Sequence, residues 1–415
     1  MEKTLRRTPR MVFIVACCAV LAATQAFAGE PQPNPLPPEE QQEYLKIQQR
    51  VLKYQNTLTM VFFTFAHCAD EKEAQRLKKT LGLFQAFMDN ARIPALAEAG
   101  GIKAFKAALV QMLKNKDSVV RGSAAMFLAI IGEIDSKAEI AKLLEPKPPM
   151  AETAPIEDGV FENVDCSRAA MALGLLGAKE YAPKLAGLLG HRDHLVRSGA
   201  VQGLAGMEAK EYVKQIAALL EDDQDDVQIA AMAALGELGA QEYAKKIAGK
   251  LGDSVFTAEA ACYSLARLKA TEHAKDIAKL LTDDFRKGDA AKALALMGVA
   301  DYNKEIAALM DDPKPLPRCD GLIAIGILGA KEYTGKAAEH LQDKQEYVRK
   351  YAAVALLLMG DEAHAKDILR LVASEGDIES CLKFAPDMQD QLVQRAMTTL
   401  NRLKQAGKPE EKKAE

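Results

Sequence analysis

The sequence is short of the residues that mark most catalytic and cofactor sites. It has no tryptophan, 6% aromatic residues and six histidines, and no histidine is followed directly by glutamate. It also lacks C-x-x-C, G-x-S-x-G, G-x-x-x-x-G-K-[ST] and G-x-G-x-x-G. Zinc-ribbon, nucleophile-elbow, P-loop and dinucleotide sites each need one of these patterns. We therefore expect no enzymatic activity and no cofactor.

An excess of basic residues is also missing. The chain has 54 Lys and Arg against 58 Asp and Glu, a formal net charge of −4. Residues 1–28 hold four of the basic residues and one acidic residue, so the charge without them is −7. Nucleic acids and anionic membranes bind basic surfaces, so neither is expected as the main partner.

Long apolar runs are absent after the N-terminus. Residues 11–23 are an apolar run behind a basic start, and small residues flank a cleavage point after Ala28. This layout predicts a secretory signal peptide over residues 1–28, and the run is too short to span a bilayer comfortably. A lipid-anchored form is the alternative, because Cys17 ends the lipobox-like sequence Ile-Val-Ala-Cys. No integral membrane span is expected in the mature chain.

Clusters of metal ligands are not evident either. His191 and His194 are the only close histidine pair, beside Asp193, and no third ligand is near them in sequence. The acidic run 221–226, EDDQDD, lacks the ligand spacing and glycine of a calcium loop. Solvated turns are the favoured interpretation of both, and we expect no metal. The cysteines after residue 28 are odd in number and widely spaced, which predicts no disulfide framework: Cys68, Cys166, Cys262, Cys319 and Cys381.

What the chain does contain is a repeated phrase. LGAKEYAPKLAGLL at 176–189 recurs as LGAQEYAKKIAGKL at 238–251 and as LGAKEYTGKAAEHL at 328–341. We call its glycine the marker position. Alignment gives eight marker positions, separated by 45, 31, 31, 30, 29, 31 and 31 residues: Gly132, Gly177, Glu208, Gly239, Lys269, Gly298, Gly329 and Gly360. A period near 30 over most of the chain predicts an all-α solenoid of about eight two-helix repeats.

Each repeat is predicted to hold two helices. The first begins at an aromatic position four residues after the marker, and Tyr243, Ile247 and Leu251 form an apolar stripe at helical spacing. The second is an alanine-rich helix, such as 227–238, that ends at the next marker. A left-handed residue at the marker would close its last turn. The phrase is therefore interpreted as a structural joint.

Charged residues also recur. Fourteen residues after the marker, an aspartate is expected to accept hydrogen bonds at a helix entrance. Eleven residues before the marker lies a mostly basic position, and Asp117 precedes Arg121 by four residues, a spacing that pairs them if both are helical. Stacked repeats would align these charges as a structural ladder. Its members are Arg121, Arg197, Arg318, Arg349, Asp222, Asp253, Asp283, Asp312 and Asp343.

The pattern Asp-x-x-Val-Arg, followed by an alanine-rich helix ending Leu-Gly, resembles the HEAT repeat. The short period and the GAKEY joint resemble the HEAT-like repeats first named in phycobilisome lyases. The resemblance covers about residues 100–375. It implies a right-handed superhelix of paired helices, in which the second helices line a concave protein-binding surface.

The predicted organisation follows from the repeat limits. A signal peptide at 1–28 precedes a proline-rich linker at 29–38, and helical caps flank a repeat array at 100–375. The long step between the first two markers predicts an inserted loop. The remaining segments are the N-terminal cap at 39–99, the inserted loop at 146–161, the C-terminal cap at 376–405 and a disordered tail at 406–415.

The predicted function is a non-catalytic, secreted or periplasmic scaffold that binds another protein through the concave surface. A metal-dependent HEAT-like enzyme, a bilin-lyase-like protein and a lipid-anchored envelope scaffold remain alternatives. Partner specificity should lie where the repeats differ. The candidate partner-binding residues are Ser198, Gln202, Gln228, Met232, Lys350 and Tyr351.

Overall fold

The computed structural model describes residues 38–53, 101–145, 163–384 and 386–406, and the regular structure in these ranges is entirely helical. The predicted all-α class is therefore confirmed. The chain divides into two compact units, Met1–Tyr212 and Val213–Glu415. Within the ranges above, none of the helices combines the length and apolar character that a membrane crossing requires.

In the described part of the first unit, long helices pack side by side. Helices α3, α5 and α7 are neighbours in chain order, and the short helices α4 and α6 pack against α5 and α7 respectively. The bounds are α1 (Pro38–Lys53), α2 (Gly101–Met112), α3 (Ser118–Ile131), α4 (Lys137–Ala141), α5 (Val164–Leu175), α6 (Ala182–Gly187) and α7 (His194–Gly206).

The second unit repeats this arrangement over more of the chain. Long helices α9, α11, α13, α15 and α17 pack side by side in chain order, and each packs against the short helix before it. Stacked helix pairs of this kind form a solenoid. The bounds are α8 (Val213–Ala218), α9 (Asp225–Leu238), α10 (Ala244–Ala248), α11 (Val255–Leu268), α12 (Ala274–Ala278), α13 (Lys287–Leu296), α14 (Asn303–Ala308), α15 (Pro315–Leu328), α16 (Thr334–Glu339), α17 (Glu346–Met359), α18 (Ala365–Leu371), α19 (Glu375–Leu382) and α20 (Pro386–Ala406).

Every marker position has the left-handed backbone that the sequence predicted. Its φ is positive at all eight, including the two that are not glycine, Glu208 at 56° and Lys269 at 52°. In each case the marker N–H and the next N–H donate back to carbonyls of the preceding helix, as at Gly239 to Gly236 and Ala240 to Leu235. This pair of bonds is a Schellman closure, which satisfies carbonyls that the helix end leaves free.

The first helix of each repeat is shorter than its sequence pattern predicted. After Gly239, for example, residues Gln241–Tyr243 form a 3-10 turn, the α-helix spans Ala244–Ala248, and a second 3-10 turn follows. Of the predicted stripe, Ile247 and Leu251 are buried, whereas Tyr243 is half-buried. A 3-10 turn has three residues per turn, so the α-helical stripe does not continue through it unchanged.

Small residues let the long helices of the first unit approach closely. A methyl group at Gly203 on α7 would lie against the carbonyl oxygen of Ala170 on α5 and 2.5 Å from Leu185 Cδ2. No side chain therefore fits at Gly203 without moving one of the helices. Glycine here serves packing rather than a turn.

Arginines from the flanking helices cap long-helix ends in both units. In the first unit Arg50 of α1 donates to the carbonyls of Ile130 and Ala129, at 2.9 and 3.1 Å. In the second unit Arg395 of α20 donates to three carbonyls of α15 and α17, at 2.8 to 3.0 Å. A cation at a helix C-terminus is favourable because it bonds free carbonyls and opposes the negative end of the dipole.

Several predicted segments lie outside the described residues: the signal peptide with Cys17, the linker up to residue 37, residues 54–99 of the N-terminal cap, the 146–161 loop and the tail from 407. Helix α1 lies in the remainder of the predicted N-terminal cap and buries Tyr44 and Ile47. Helix α20 lies in the predicted C-terminal cap and buries Leu392, Ala396, Leu400 and Leu403.

Candidate functional site

The basic positions of the repeats bind the turn before their own helix. The arginine Nη1 donates to the carbonyls five and six residues earlier, at distances between 2.7 and 3.4 Å. Gln228, at the same position of another repeat, donates from its side-chain amide to the Asp222 carbonyl at 2.6 Å. These bonds hold the turn that begins each long helix. The arginines are Arg121, Arg197, Arg318 and Arg349.

Some basic positions also reach the next repeat. Arg318 forms a two-point ion pair with Asp343, at 2.9 and 3.0 Å, and Lys287 lies 2.7 Å from Asp312. Arg121 pairs in the same way with Asp165, and its Nε lies 2.7 Å from that carboxylate. These contacts link neighbouring repeats within a unit.

The predicted pairing of Asp117 with Arg121 was wrong. Asp117 is the N-cap of α3, with an extended backbone, and its carboxylate accepts from the N–H groups of Val119 and Val120. The prediction required both residues to be helical, and Asp117 is not. Arg121 is therefore directed to Asp165 of the next repeat.

The ladder aspartates stabilise the turns that enter the long helices. Asp222, Asp312 and Asp343 each accept from the N–H two residues later, and Asp283 accepts from the second and third N–H after it. Asp253 differs, because the adjacent Ser254 is the N-cap and accepts from the N–H of Thr257. The hydrogen bonds therefore precede the helix rather than capping it directly in most repeats.

Two candidate partner-binding residues are not on the surface. Met232 is fully buried, and Ser198 is buried with its hydroxyl donating to the Leu195 carbonyl at 3.3 Å. Neither side chain can therefore make the direct partner contact predicted for it. Both lie on long-helix positions that face neighbouring helices.

The other four candidates differ in their surroundings. Gln202 is exposed, whereas Gln228 is half-buried and holds the Asp222 carbonyl as described above. Lys350 forms an ion pair with Asp377 at 2.9 Å. Tyr351 is half-buried, and burial raises the pKa of its hydroxyl.

An exposed row of apolar side chains was missed by the sequence reasoning. Phe256, Phe285, Leu316 and Tyr347 are 71%, 77%, 67% and 43% exposed. Each lies thirteen residues before a marker, in four consecutive repeats of the second unit. We call these four residues the apolar row. Alignment of the repeats places all four at one position, but apolar residues at helical positions are ordinarily assigned to the core.

The apolar row runs along the start of the long helices. Phe256, Leu316 and Tyr347 lie in the first turns of α11, α15 and α17, and Phe285 lies two residues before the start of α13. Lys314 contacts the row from the next repeat, because its Nζ lies 5.9 Å from the Phe285 ring centre and 3.6 Å from Asp284. In the repeat before Phe256, Asp226 occupies the same position and is exposed within the acidic run 221–226.

Carboxylates follow the apolar row by one helical turn. Glu259, Asp289 and Asp320 lie three or four residues after it on α11, α13 and α15, and we call them the acidic row. Lys292 Nζ lies 3.0 Å from Asp289 and 3.1 Å from Asp320. Tyr263 donates to Asp289 at 3.1 Å. Two of the three carboxylates thus contact one ammonium group, which leaves the row acidic.

Burial changes the proton affinity of these groups. Partial burial raises the pKa of Glu259, and the charge of Asp289 adds to this effect. Burial also raises the pKa of Asp320, although Lys292 opposes it. Burial alone would lower the pKa of Lys292, but the charges of Asp320 and Asp289 raise it above its ordinary value. Lys292 is therefore an ammonium ion at neutral pH and not a nucleophile.

Phe384, which lies between α19 and α20, covers the part of the acidic row next to Lys292. The Phe384 ring centre lies 5.3 Å from Lys292 Nζ and 6.3 Å from the Tyr263 ring centre. Glu259 stays exposed. The apolar row and the Glu259 end of the acidic row are therefore the accessible parts of this face.

The cysteines and histidines give little sign of chemistry. The cysteines at 166, 262, 319 and 381 are free thiols in the core. Burial raises the pKa of the first three to about 12 and of the last to about 11, so they are protonated at neutral pH. His191 Nδ1 accepts from the Asp193 N–H at 3.1 Å. Among the described residues, no three His, Cys, Asp or Glu side chains are grouped to hold a metal ion.

Comparison with known proteins identifies the repeat. The sequence profile of HEAT repeats matches residues 167–236. The predicted resemblance to HEAT repeats is confirmed over these residues. A comparison with curated proteins found no significant match.

The solved structures that match this chain have low sequence identity to it and low TM-scores. The complex of CpcE and CpcF of phycocyanin lyase from Nostoc sp. PCC7120 is 18% identical, with a TM-score of 0.36, over 69% of this chain and 94% of that chain. An engineered protein is 17% identical, with a TM-score of 0.37, over 86% and 99%. Human deoxyhypusine hydroxylase in complex with glycerol is 16% identical, with a TM-score of 0.27, over 66% and 99%.

Proposed function

We propose that this chain is a non-catalytic, exported scaffold that binds another protein through the long-helix face of its second unit. The observation that carries the proposal is the apolar row, with four large apolar side chains exposed in consecutive repeats. Single exposed apolar residues are common, but a continuous set marks an interaction surface. The protonated cysteines and the charged Lys292 support a non-catalytic role, because neither is in its nucleophilic form.

The expected contribution of the row to binding is large enough to measure. Complete burial of one Phe or Leu side chain contributes about 1.5–3 kcal/mol. Three of the four side chains are 67% exposed or more, so a partner that covers them would gain most of this burial free energy. Aromatic residues are also frequent among the side chains that dominate interface energies.

Position-specific photocross-linking in the native cell tests the proposal. A photoreactive residue replaces Leu316 in one version of the protein and Ile134 in another. Ile134 is 61% exposed in the first unit and is therefore a matched control outside the row. We expect one protein adduct from position 316, its loss when Phe285→Ser is added, and no such adduct from position 134. Equal adducts from both positions, or none from 316, would refute the proposed scaffold.

Export is proposed from the basic start and apolar run of residues 1–28. Intact-mass measurement of the protein from cells checks it. A mature chain beginning at Gly29 supports a secreted or periplasmic protein. A lipid-modified chain beginning at Cys17 would instead indicate the anchored form, and a chain that retains Met1 would contradict export.

A further inference from the structure

The apolar row continues into an acidic turn. Thirteen residues before successive markers lie Asp226, Phe256, Phe285, Leu316 and Tyr347. Asp226 is the last residue of the run 221–226, in which five of six residues are acidic, and Asp223, Asp225 and Asp226 are exposed. A ligand that lies along these five positions contacts apolar side chains over most of its length and carboxylates at one end. Glu259, exposed on α11, adds a carboxylate beside the same end of the row.

The spacing of the line restricts the shape of that ligand. Helices packed side by side have axes about 8–10 Å apart, so successive row residues are separated by about that distance. Seven residues of an α-helix rise about 10.5 Å and return to the same face of the helix. A strand places residues of one face about 6.6 Å apart, which does not match a single step of the row. The spacing therefore favours a helix with apolar residues at every seventh position.

We propose that the apolar row binds an amphipathic α-helix of a partner protein whose apolar residues recur every seven positions and whose basic residues cluster at the end next to the 221–226 turn. This inference rests on the proposed scaffold function and specifies its partner. Four row residues span three steps, about 24–30 Å, which corresponds to about 16–20 helical residues. One further step reaches the acidic turn. The basic end of the partner supplies the charge complementarity that orients it.

Charge also decides between a protein helix and a lipid surface. Exposed aromatic side chains suit a membrane interface, but anionic lipids require basic protein residues beside them. The residues of the 221–226 turn, which continue the row, are mostly acidic, and Lys314, which contacts Phe285, lies 3.6 Å from the carboxylate of Asp284. The face therefore favours a cationic peptide over an anionic membrane.

Binding of designed helices to the full mature chain tests this inference. The probe is a fluorescent peptide of about 28 residues, with Leu at every seventh position and Lys clustered at one end. Its controls are a scrambled peptide of the same composition and a peptide in which Glu replaces the clustered Lys. Affinity is measured by fluorescence anisotropy. We expect the Lys peptide to bind at least about tenfold more tightly than either control, and binding to weaken with added salt.

Protein variants locate the binding. Phe285→Ser combined with Leu316→Ser should weaken the peptide at least about tenfold, and so should Asp225→Asn combined with Asp226→Asn. Ile134→Ser and Glu242→Gln change exposed residues elsewhere and should leave affinity unchanged. Equal binding of all three peptides, or equal losses in the control variants, would overturn the inference. Row-dependent binding to phosphatidylglycerol vesicles without peptide binding would also overturn it, in favour of a membrane surface. If photocross-linking at Leu316 succeeds while no peptide binds, the scaffold function stands and only the helical partner is refuted.

Discussion

The contact between Arg318 and Asp343 gives a sharp prediction about stability. Both side chains are less than 10% exposed, and Arg318 also donates to the carbonyls of Asp312 and Pro313. Arg318→Ala removes all four bonds and leaves the buried Asp343 carboxylate without its arginine, although His340 Nδ1 remains 3.6 Å away. Removal of one partner of a buried pair typically costs about 3–5 kcal/mol. Asp343 keeps the hydrogen bond from the Gln345 N–H, so we expect a loss near the lower value, about 3 kcal/mol.

The loss should depend on pH with a definite sign. Burial works to raise the pKa of Asp343, but hydrogen bonds from the Gln345 N–H and from Arg318, with the Arg318 charge, lower it below the usual value. A carboxyl group with a lowered pKa in the folded state contributes stability above its unfolded pKa of about 4. That contribution is lost as pH falls through the folded pKa. The difference between wild type and Arg318→Ala should therefore be full at pH 7 and shrink below about pH 4.

Chemical denaturation of the full chain, followed by circular dichroism at several pH values, measures this loss. Arg370→Ala is the matched control, because Arg370 is 61% exposed and pairs with Asp367 at 3.4 Å on the surface. We expect the control to change stability by less than about 0.5 kcal/mol. A double-mutant cycle with Asp343→Asn should show strong coupling. A loss for Arg318→Ala no larger than for the control, or one independent of pH, would refute the reasoning.

Three further predictions concern the joints, the helix packing and the thiols. Lys269→Gly should raise the free energy of unfolding by about 0.5–1 kcal/mol, because glycine adopts the left-handed backbone of this position without strain. Gly239→Ala should lower it by about 1 kcal/mol, because alanine is strained in that conformation. Denaturation curves that show the opposite signs would contradict this. Gly203→Ala should destabilise the protein by at least about 2 kcal/mol through the clash with Ala170 and Leu185, and a neutral result by thermal melting would argue against the close approach of α5 and α7. The four described cysteines should react with a thiol reagent at pH 8 only after unfolding, and rapid reaction of the native protein would contradict their burial.

The helical class and the joints were predictable because they depend on local physics. The period near 30 and the glycine after each apolar helix both reflect the backbone geometry of a single repeat. They can therefore be recognised within each repeat, without knowledge of its neighbours. Even Glu208 and Lys269, which break the glycine pattern, adopt the predicted left-handed conformation. Tertiary context therefore fixes the joint where the local preference is weaker.

Contacts between repeats were harder to predict. Arg121 follows Asp117 by four residues in the sequence, but in the structure it pairs with Asp165 of the next repeat. Which one it chooses depends on where α3 begins and on how closely α5 approaches, and neither is a property of a short sequence window. The prediction that Met232 contacts a partner was wrong for the same reason. Variability between repeats does not distinguish an exposed position from one buried against a neighbouring helix.

The apolar row was readable in principle from the sequence. Its members share one position in the repeat, but Phe and Leu on an amphipathic helix are ordinarily assigned to the core. Only the exposed fractions separate the row from buried residues such as Val227 and Val348, which also lie near the starts of long helices.

The central claim is that the apolar row binds the partner protein. The most direct measurement is isothermal titration of the partner captured by photocross-linking with the mature chain and with its Phe285→Ser, Leu316→Ser variant. Ile134→Ser serves as the control. We expect the double substitution to weaken binding by at least about tenfold, with no change for the control. Equal affinity of the wild type and the double variant would contradict the claim.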